Sequence, residues 1–164
     1  MRKIMMGALA GTVLMATVPV AAEQLTIEEG QAIVKPFYDL FSLQGSEAAA
    51  RANISPDWKS YYSNTGYKNL DDTMKAVAGA FPKILPDMKW TQDDISVTTE
   101  NEVVVRGTLS GTPAGDTFFG QPVNGKTFET MTLDIHTIED GKIVKTYHIE
   151  DWFRALGQLK PQEK

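Results

Sequence analysis

No cysteine occurs anywhere in the 164 residues. Disulfides, a nucleophilic thiol and a lipid-modified cysteine anchor are therefore all excluded, and the fold has to be held by its core alone. Histidine is scarce as well, with His136 and His148 the two present. Cations are in deficit, 16 Lys and Arg against 21 Asp and Glu, for a net charge of −5. That balance argues against nucleic acid or an anionic membrane surface as a partner, because phosphate binding needs clustered Lys and Arg. There is no Gly-rich phosphate loop, no Gly-x-Ser-x-Gly nucleophile elbow, no internal repeat and no low-complexity tract. Neither a cofactor nor a metal is expected.

What is present begins with a leader. Arg2 and Lys3 precede an almost uncharged apolar run from Ile4 to Val18, Pro19 breaks it, and Val20-Ala21-Ala22 supplies small residues at a cleavage site. Charge, length and cleavage chemistry are those of a secretory signal peptide over residues 1–22, and the apolar run is at the short end for a membrane span. The expectation is an exported protein, periplasmic or secreted, with a mature N-terminus at Glu23 and no stable membrane anchor after cleavage. Residues 23–164 then form one domain, 164 less 22 being 142 residues, with net charge −7 once the two leader cations are gone.

The domain divides by periodicity. Thr26 and Glu29 make a capping-box signature, followed by Ile33, Phe37, Leu40 and Phe41 at helical spacing, with a kink or break expected at Pro36. Ser46 caps a short Ala-rich helix to Ile54. The stretch 55–66 is read as irregular, and Asn69 caps a third helix with Met74, Val77, Ala78 and Phe81 on its inner face. From Trp90 the period changes to two. Alternating runs at Ile95–Val97, Val103–Leu109, Phe128–Ile138 and Ile143–Ile149 are punctuated by turns at Asn101-Glu102 and Asp140-Gly141. A short helix over 152–156 ends the pattern. Helices first and strands after predict an α+β fold, a curved antiparallel sheet wrapped around the N-terminal helices.

Several segments in this order carry a resemblance. They include Phe37-Tyr38-Asp39-Leu40-Phe41, the loop with Trp58 and Tyr61, Gly66, Phe81-Pro82, Val105-Arg106-Gly107-Thr108, Ser110-Gly111-Thr112, Phe119-Gly120-Gln121-Pro122, Asn124-Gly125-Lys126, Asp140-Gly141-Lys142-Ile143, Asp151 and Gln158-Leu159. Together they resemble the SnoaL-like polyketide cyclases, also called ester cyclases, of the cone-shaped superfamily named after nuclear transport factor two. The resemblance implies a cone-shaped α+β barrel with a deep apolar pocket. It also implies an aspartate at Asp151 acting as general acid and base in an intramolecular aldol-type ring closure, with no cofactor. Desolvation would make such a carboxylate a better base. The chain departs from the family at Pro113 and at Tyr61, where the family often has His.

For individual residues two readings stand side by side. Asp151 is either the acid/base or the N-cap of the last helix. Strict alternation puts Tyr147, Ile149 and Asp151 on one strand face and Thr146, His148 and Glu150 on the other. Tyr147 is thus the better pocket candidate, and His148 is expected at the surface. Trp58, Tyr61 and Tyr62 either line a substrate-binding pocket mouth or plug the open end of the cone. Arg106 is expected to be exposed and paired with an acid across strands. Asp134 and His136 share a face but lack a third metal ligand. Met74, Met88 and Met131 are expected as core fillers. Two functions follow: a cyclase or isomerase-like enzyme acting on a hydrophobic carbonyl compound through Asp151, or a non-catalytic periplasmic small-molecule-binding protein. A homodimer paired through the outer sheet face is expected, with aliphatic Val104 lying there among polar neighbours.

Overall fold

The computed structural model describes residues 24–160; the leader expected over 1–22 lies outside the described residues. Helix α1 (Ile27–Phe41) starts where the sequence signals it. The Thr26 hydroxyl accepts from the Glu29 backbone N–H at 3.1 Å, and the Glu29 carboxylate accepts from the Thr26 N–H at 2.8 Å. The helix does not break at Pro36. Proline removes one i→i−4 bond, but Val34, Phe37, Tyr38, Leu40 and Phe41 are all buried, and that packing holds the helix together across the lost bond. Helices α2 (Glu47–Asn53) and α3 (Leu70–Gly79) follow, capped by Ser46 and Asn69. A four-residue helix α4 (Phe81–Ile84) comes next.

Six strands form one sheet in the order β2-β1-β8-β7-β4-β3. They are β1 (Ile54–Tyr61), β2 (Tyr67–Asn69), β3 (Lys89–Val97), β4 (Glu102–Gly111), β7 (Phe128–Glu139) and β8 (Lys142–Glu150). The short β5 (Thr117–Phe118) and β6 (Gln121–Pro122) make a separate hairpin, and helix α5 (Trp152–Leu159) closes the chain. The sheet is curved and unclosed, and its concave face packs on the helices, so the cone expected from the sequence is the observed fold. Asp140 and Gly141, at φ 49° and 71°, form the tight turn that joins β7 to β8; two positive φ values are what a two-residue hairpin needs.

Two local readings are corrected. The stretch read as irregular contains strand β1, which runs parallel to β8 and antiparallel to β2. Met131, expected in the core, is 59 % exposed on the convex face. That face is unusually apolar. Leu133 and Ile149 are register partners there, as are Ile135 and Tyr147, and Val104 pairs with Ile135 on the next strand. Arg106 is exposed as expected and lies 3.6 Å from Asp93. On the concave side Gly107 permits a close crossing. A Cβ added there would lie 2.5 Å from the Thr91 carbonyl oxygen and 2.9 Å from the Thr132 hydroxyl. The space it leaves free is where the Trp90 indole N–H donates to that hydroxyl, at 2.9 Å.

Candidate functional site

A cavity of about 610 Å³ opens between the helices and the concave sheet face. Its walls are mostly apolar and aromatic, with Phe37 and Phe41 from α1, Trp58 from β1, Trp90 from β3 and Phe118 from β5. Polar groups reach it at few places, among them His148 and Glu150 on β8.

The inward position of His148 reverses the face expected from alternation, and the cause is local. Ile138 pairs with Ile143 and Thr137 with Lys145, so Val144 has no register partner and forms a bulge. A bulge advances the strand by one residue without advancing its partner, which exchanges the two faces beyond it. Ile143 is buried on one phase, and Thr146, His148 and Glu150 then turn inward on the other. Tyr147 is left outside at 45 % exposure, where it stacks against Tyr61 at 5.4 Å between ring centroids.

Asp151 is outside too. The carboxylate expected to project into the pocket is exposed. It caps α5 instead, with Oδ1 accepting from the Arg154 backbone N–H at 3.0 Å. Among the candidates taken from the sequence, Trp58 and Tyr62 line the cavity, whereas Tyr61, Tyr147 and Asp151 do not.

What occupies the interior is a buried hydrogen-bonded chain whose polarity can be worked out. The Trp58 indole N–H can only donate, and it donates to the Thr146 hydroxyl at 2.9 Å. At the far end Asp134 can only accept, so Tyr38 donates to it and takes a proton from His136 Nε2, and neutral His136 then accepts at Nδ1 from the Thr146 hydroxyl, 2.9 Å away. His136 carries its proton on Nε2 and gives it to the Tyr38 oxygen at 2.9 Å. Tyr38 in turn donates to Asp134 Oδ2 at 2.8 Å. The other carboxylate oxygen, Oδ1, accepts from His148 Nδ1 at 2.7 Å. His148 Nε2 lies 3.2 Å from Glu150 Oε2, which also accepts from the Trp152 indole at 2.7 Å. Every atom along the chain has a partner of the right kind, which is the condition for holding polar groups in a core at low cost.

The charge states follow from these surroundings. Burial pushes His136 down from its ordinary 6.5 to about 4, so it is neutral at pH 7. For Tyr38 burial comes first, reinforced by the Asp134 charge, and its hydroxyl is held well above the ordinary tyrosine range. Burial opposes the charged form of His148 also, but hydrogen bonds to Asp134 and Glu150 outweigh it. The imidazolium pKa is pushed up to about 10. At neutral pH His148 is a cation held by two carboxylates at the wall of an apolar cavity, with the Trp90 ring 5.2 Å away, centroid to centroid. Among the described residues, no group of three or more His, Asp or Glu side chains is arranged to hold a metal ion.

These two histidines pull stability in opposite directions with pH. Above pH 6.5 the unfolded chain releases a proton that folded His148 keeps, so its contribution is fully present below 6.5 and is lost as pH rises toward 10. Below pH 6.5 the unfolded chain takes up a proton that folded His136 refuses, so stability also falls as pH drops toward 4. The pair sets a maximum near pH 6.5, with a slope of up to about 1.4 kcal/mol per pH unit on each limb. Urea midpoints measured between about pH 5 and 9 check this. A midpoint that keeps rising through the alkaline limb contradicts a charged, paired His148.

The comparisons agree with this architecture. A family model described as SnoaL-like polyketide cyclase matches residues 32–159. TsrD of Streptomyces laurentii is 21% identical, with a TM-score of 0.69 over 83% of this chain and 98% of that one. Wild-type IdmH of Streptomyces antibioticus is 25% identical, with a TM-score of 0.67 over 79% and 97%. A SnoaL-like protein of Jannaschia sp. CCS1 is 17% identical, with a TM-score of 0.69 over 87% and 100%. No curated protein matches the sequence.

Proposed function

Because the chain belongs to the SnoaL-like polyketide cyclase family, we propose that it catalyses proton transfer and aldol-type ring closure on an apolar carbonyl compound held in the cavity. One observation carries this reading: a histidine and a carboxylate, His148 and Glu150, lie 3.2 Å apart at the cavity wall, with Asp134 anchoring the histidine from behind. Ring closure needs a base next to an acidic C–H and an acid next to the carbonyl oxygen that becomes a hydroxyl. The Glu150 carboxylate removes the α-proton, and the resulting enolate carbon attacks the second carbonyl carbon. The His148 imidazolium gives its Nε2 proton to the oxygen of that carbonyl as the C–C bond forms. Glu150 then returns the abstracted proton to His148 across their contact, and both groups recover their starting states. The apolar walls exclude the water that would otherwise compete for the enolate.

Hydrogen–deuterium exchange at the α-carbon of 2-tetralone, followed by NMR in D2O, tests the base. The protein should accelerate exchange, and Glu150→Gln should return it to the buffer rate. If the unaltered protein exchanges no faster than that variant, the chemistry is absent and the cavity belongs to a small-molecule-binding protein.

We also propose that a second copy covers the convex face. Val104, Met131, Leu133, Ile135, Tyr147 and Ile149 lie there, with Val104 and Tyr147 both register partners of Ile135 and Leu133 a partner of Ile149, and exposed apolar patches of this kind mark interfaces. A two-fold pairing sets the same patch against itself. Sedimentation at micromolar concentration should give the mass of two chains, and Leu133→Lys should give that of one. A single-chain mass for the unaltered protein removes the proposal.

A further inference from the structure

We infer that the cavity contains a second polar subsite, formed by Ser60, Lys68 and Thr73, that receives the carboxylate of an apolar keto acid. The inference rests on the proposed function, in which the cavity is a ligand site, and names the kind of ligand it takes.

Thr73 is the starting point. It sits on α3, lines the cavity and is 5 % exposed. Its hydroxyl is one of two buried side-chain polar atoms without a hydrogen-bond partner among the described residues, the other being the Gln92 amide nitrogen. A threonine inside a helix ordinarily bonds the carbonyl four residues back, and this one does not. Buried polar groups left open in this way mark places where something other than the chain completes the bond.

Lys68 supplies the charge. It lies on β2, lines the same cavity, and has no carboxylate within ion-pair reach among the described residues. The acids nearest in sequence are already engaged, Asp71 by Arg51 at 3.0 Å and Asp72 by the Asn69 amide at 2.9 Å. Two other lysines of this sheet region, Lys59 and Lys145, stand over the rings of Tyr67 and Tyr147. Lys68 is therefore an exposed cation at the cavity rim, free to meet the anion of a ligand there. Ser60 is its register partner on β1. It also lines the cavity, and its hydroxyl makes no hydrogen bond among the described residues. A hydroxyl, an ammonium and a second hydroxyl, all lining one cavity and unpartnered among the described residues, match the acceptor-only oxygens of a carboxylate.

The topology fixes how far this subsite lies from the reacting groups. Strands β2, β1 and β8 are consecutive neighbours, and Ser60 pairs with Thr146, two residues before His148. Lys68 is thus two strand spacings from β8, about 10 Å. A carboxylate at Lys68 and a carbonyl at His148 call for a flat apolar body on the order of 10 Å between them, the length of two or three fused rings.

Isothermal titration with a matched pair of probes tests this, 2-naphthoic acid against its methyl ester. The two differ in the ionised group and share the apolar body. The acid should bind at least about tenfold more tightly than the ester, equivalent to about 1.4 kcal/mol, and the preference should shrink with added salt. Lys68→Gln should abolish the preference while leaving ester affinity within about twofold, and Thr73→Val should weaken the acid selectively. Equal affinity for acid and ester, or a preference that survives in Lys68→Gln, overturns the subsite. Binding is read without turnover, so a failure of the α-exchange experiment leaves this result standing on its own. If neither probe binds, the cavity is not a ligand site and the subsite falls with it.

Discussion

Changing His148 to glutamine should slow α-proton exchange and ring closure by two to four orders of magnitude, the scale on which a positioned acid or base acts. Glutamine is close in length, and its amide N–H can still reach Asp134 Oδ1, so the cavity keeps its shape, although buried Asp134 loses its counter-charge and the fold gives up some stability with it. What it lacks is a proton to give at neutral pH. The companion variant is Asp151→Asn, at the residue the family resemblance nominates. Asparagine caps helices about as well as aspartate, the position is exposed, and its carboxylate is spent on the Arg154 N–H. Its rate should stay within about twofold of the unaltered protein. The pair of variants is decisive because each assignment forecasts the opposite result. Full activity in His148→Gln with a collapse in Asp151→Asn would return the chemistry to Asp151 and remove it from His148 and Glu150.

The second large effect is on stability. Asp134 is 0 % exposed and accepts from two rings, Tyr38 at 2.8 Å and His148 at 2.7 Å. Truncation to alanine leaves a buried imidazolium short of its nearest counter-charge and strands the Tyr38 hydroxyl. Removing one partner of a buried ion pair costs about 3–5 kcal/mol, a large share of what a domain of this size has to lose. Asp134→Asn separates the two causes. It still accepts from Tyr38 but carries no charge, so it should recover part of the loss in urea unfolding, and the His148 titration followed by NMR should move down from about 10 toward neutrality. If that titration does not move, Asp134 is not what holds the proton, and the electrostatic account of the site is wrong.

Much of this protein is written locally. The Thr26–Glu29 box, the Ser46 and Asn69 caps and the positive-φ turn at Asp140-Gly141 are bonds between residues a few positions apart, and the sequence announces each of them. The helix-then-strand order is enough to give the cone. Strand β1 is hidden from the sequence because its partner is remote. It pairs in parallel with β8, some ninety positions later, and its own composition, with Pro56 and Lys59, has no clean alternation. The site misleads for a related reason. Ile143 points inward, and extending its phase along β8 puts Tyr147, Ile149 and Asp151 inside; the bulge at Val144 interrupts that phase, and nothing in the residues before it forecasts the interruption. Two apolar residues, Tyr147 and Ile149, then face outward while a histidine and a glutamate face in. Hydrophobicity ordinarily reports burial, yet at this end of β8 the apolar side chains lie outside and the ionisable ones within. Tyr38, His136 and Thr146 are equally invisible as a group, since their bonds span 98 and 10 positions and meet only when α1 lies across the sheet.

The chain of bonds from Trp58 to Asp134 has one further property. A row of hydroxyls usually conducts protons, because each member can pass one on and turn round to accept the next. This row cannot turn round. It begins on an indole that gives and never takes, and it ends on a carboxylate that takes and never gives, so while His136 is neutral a single arrangement of protons satisfies all of its links. Reversing any link would leave two protons facing each other at one end or a bare contact at the other. The buried row is therefore an insulator, and the protons that reach Glu150 and His148 must come from the cavity side, carried by the ligand or by the water it displaces.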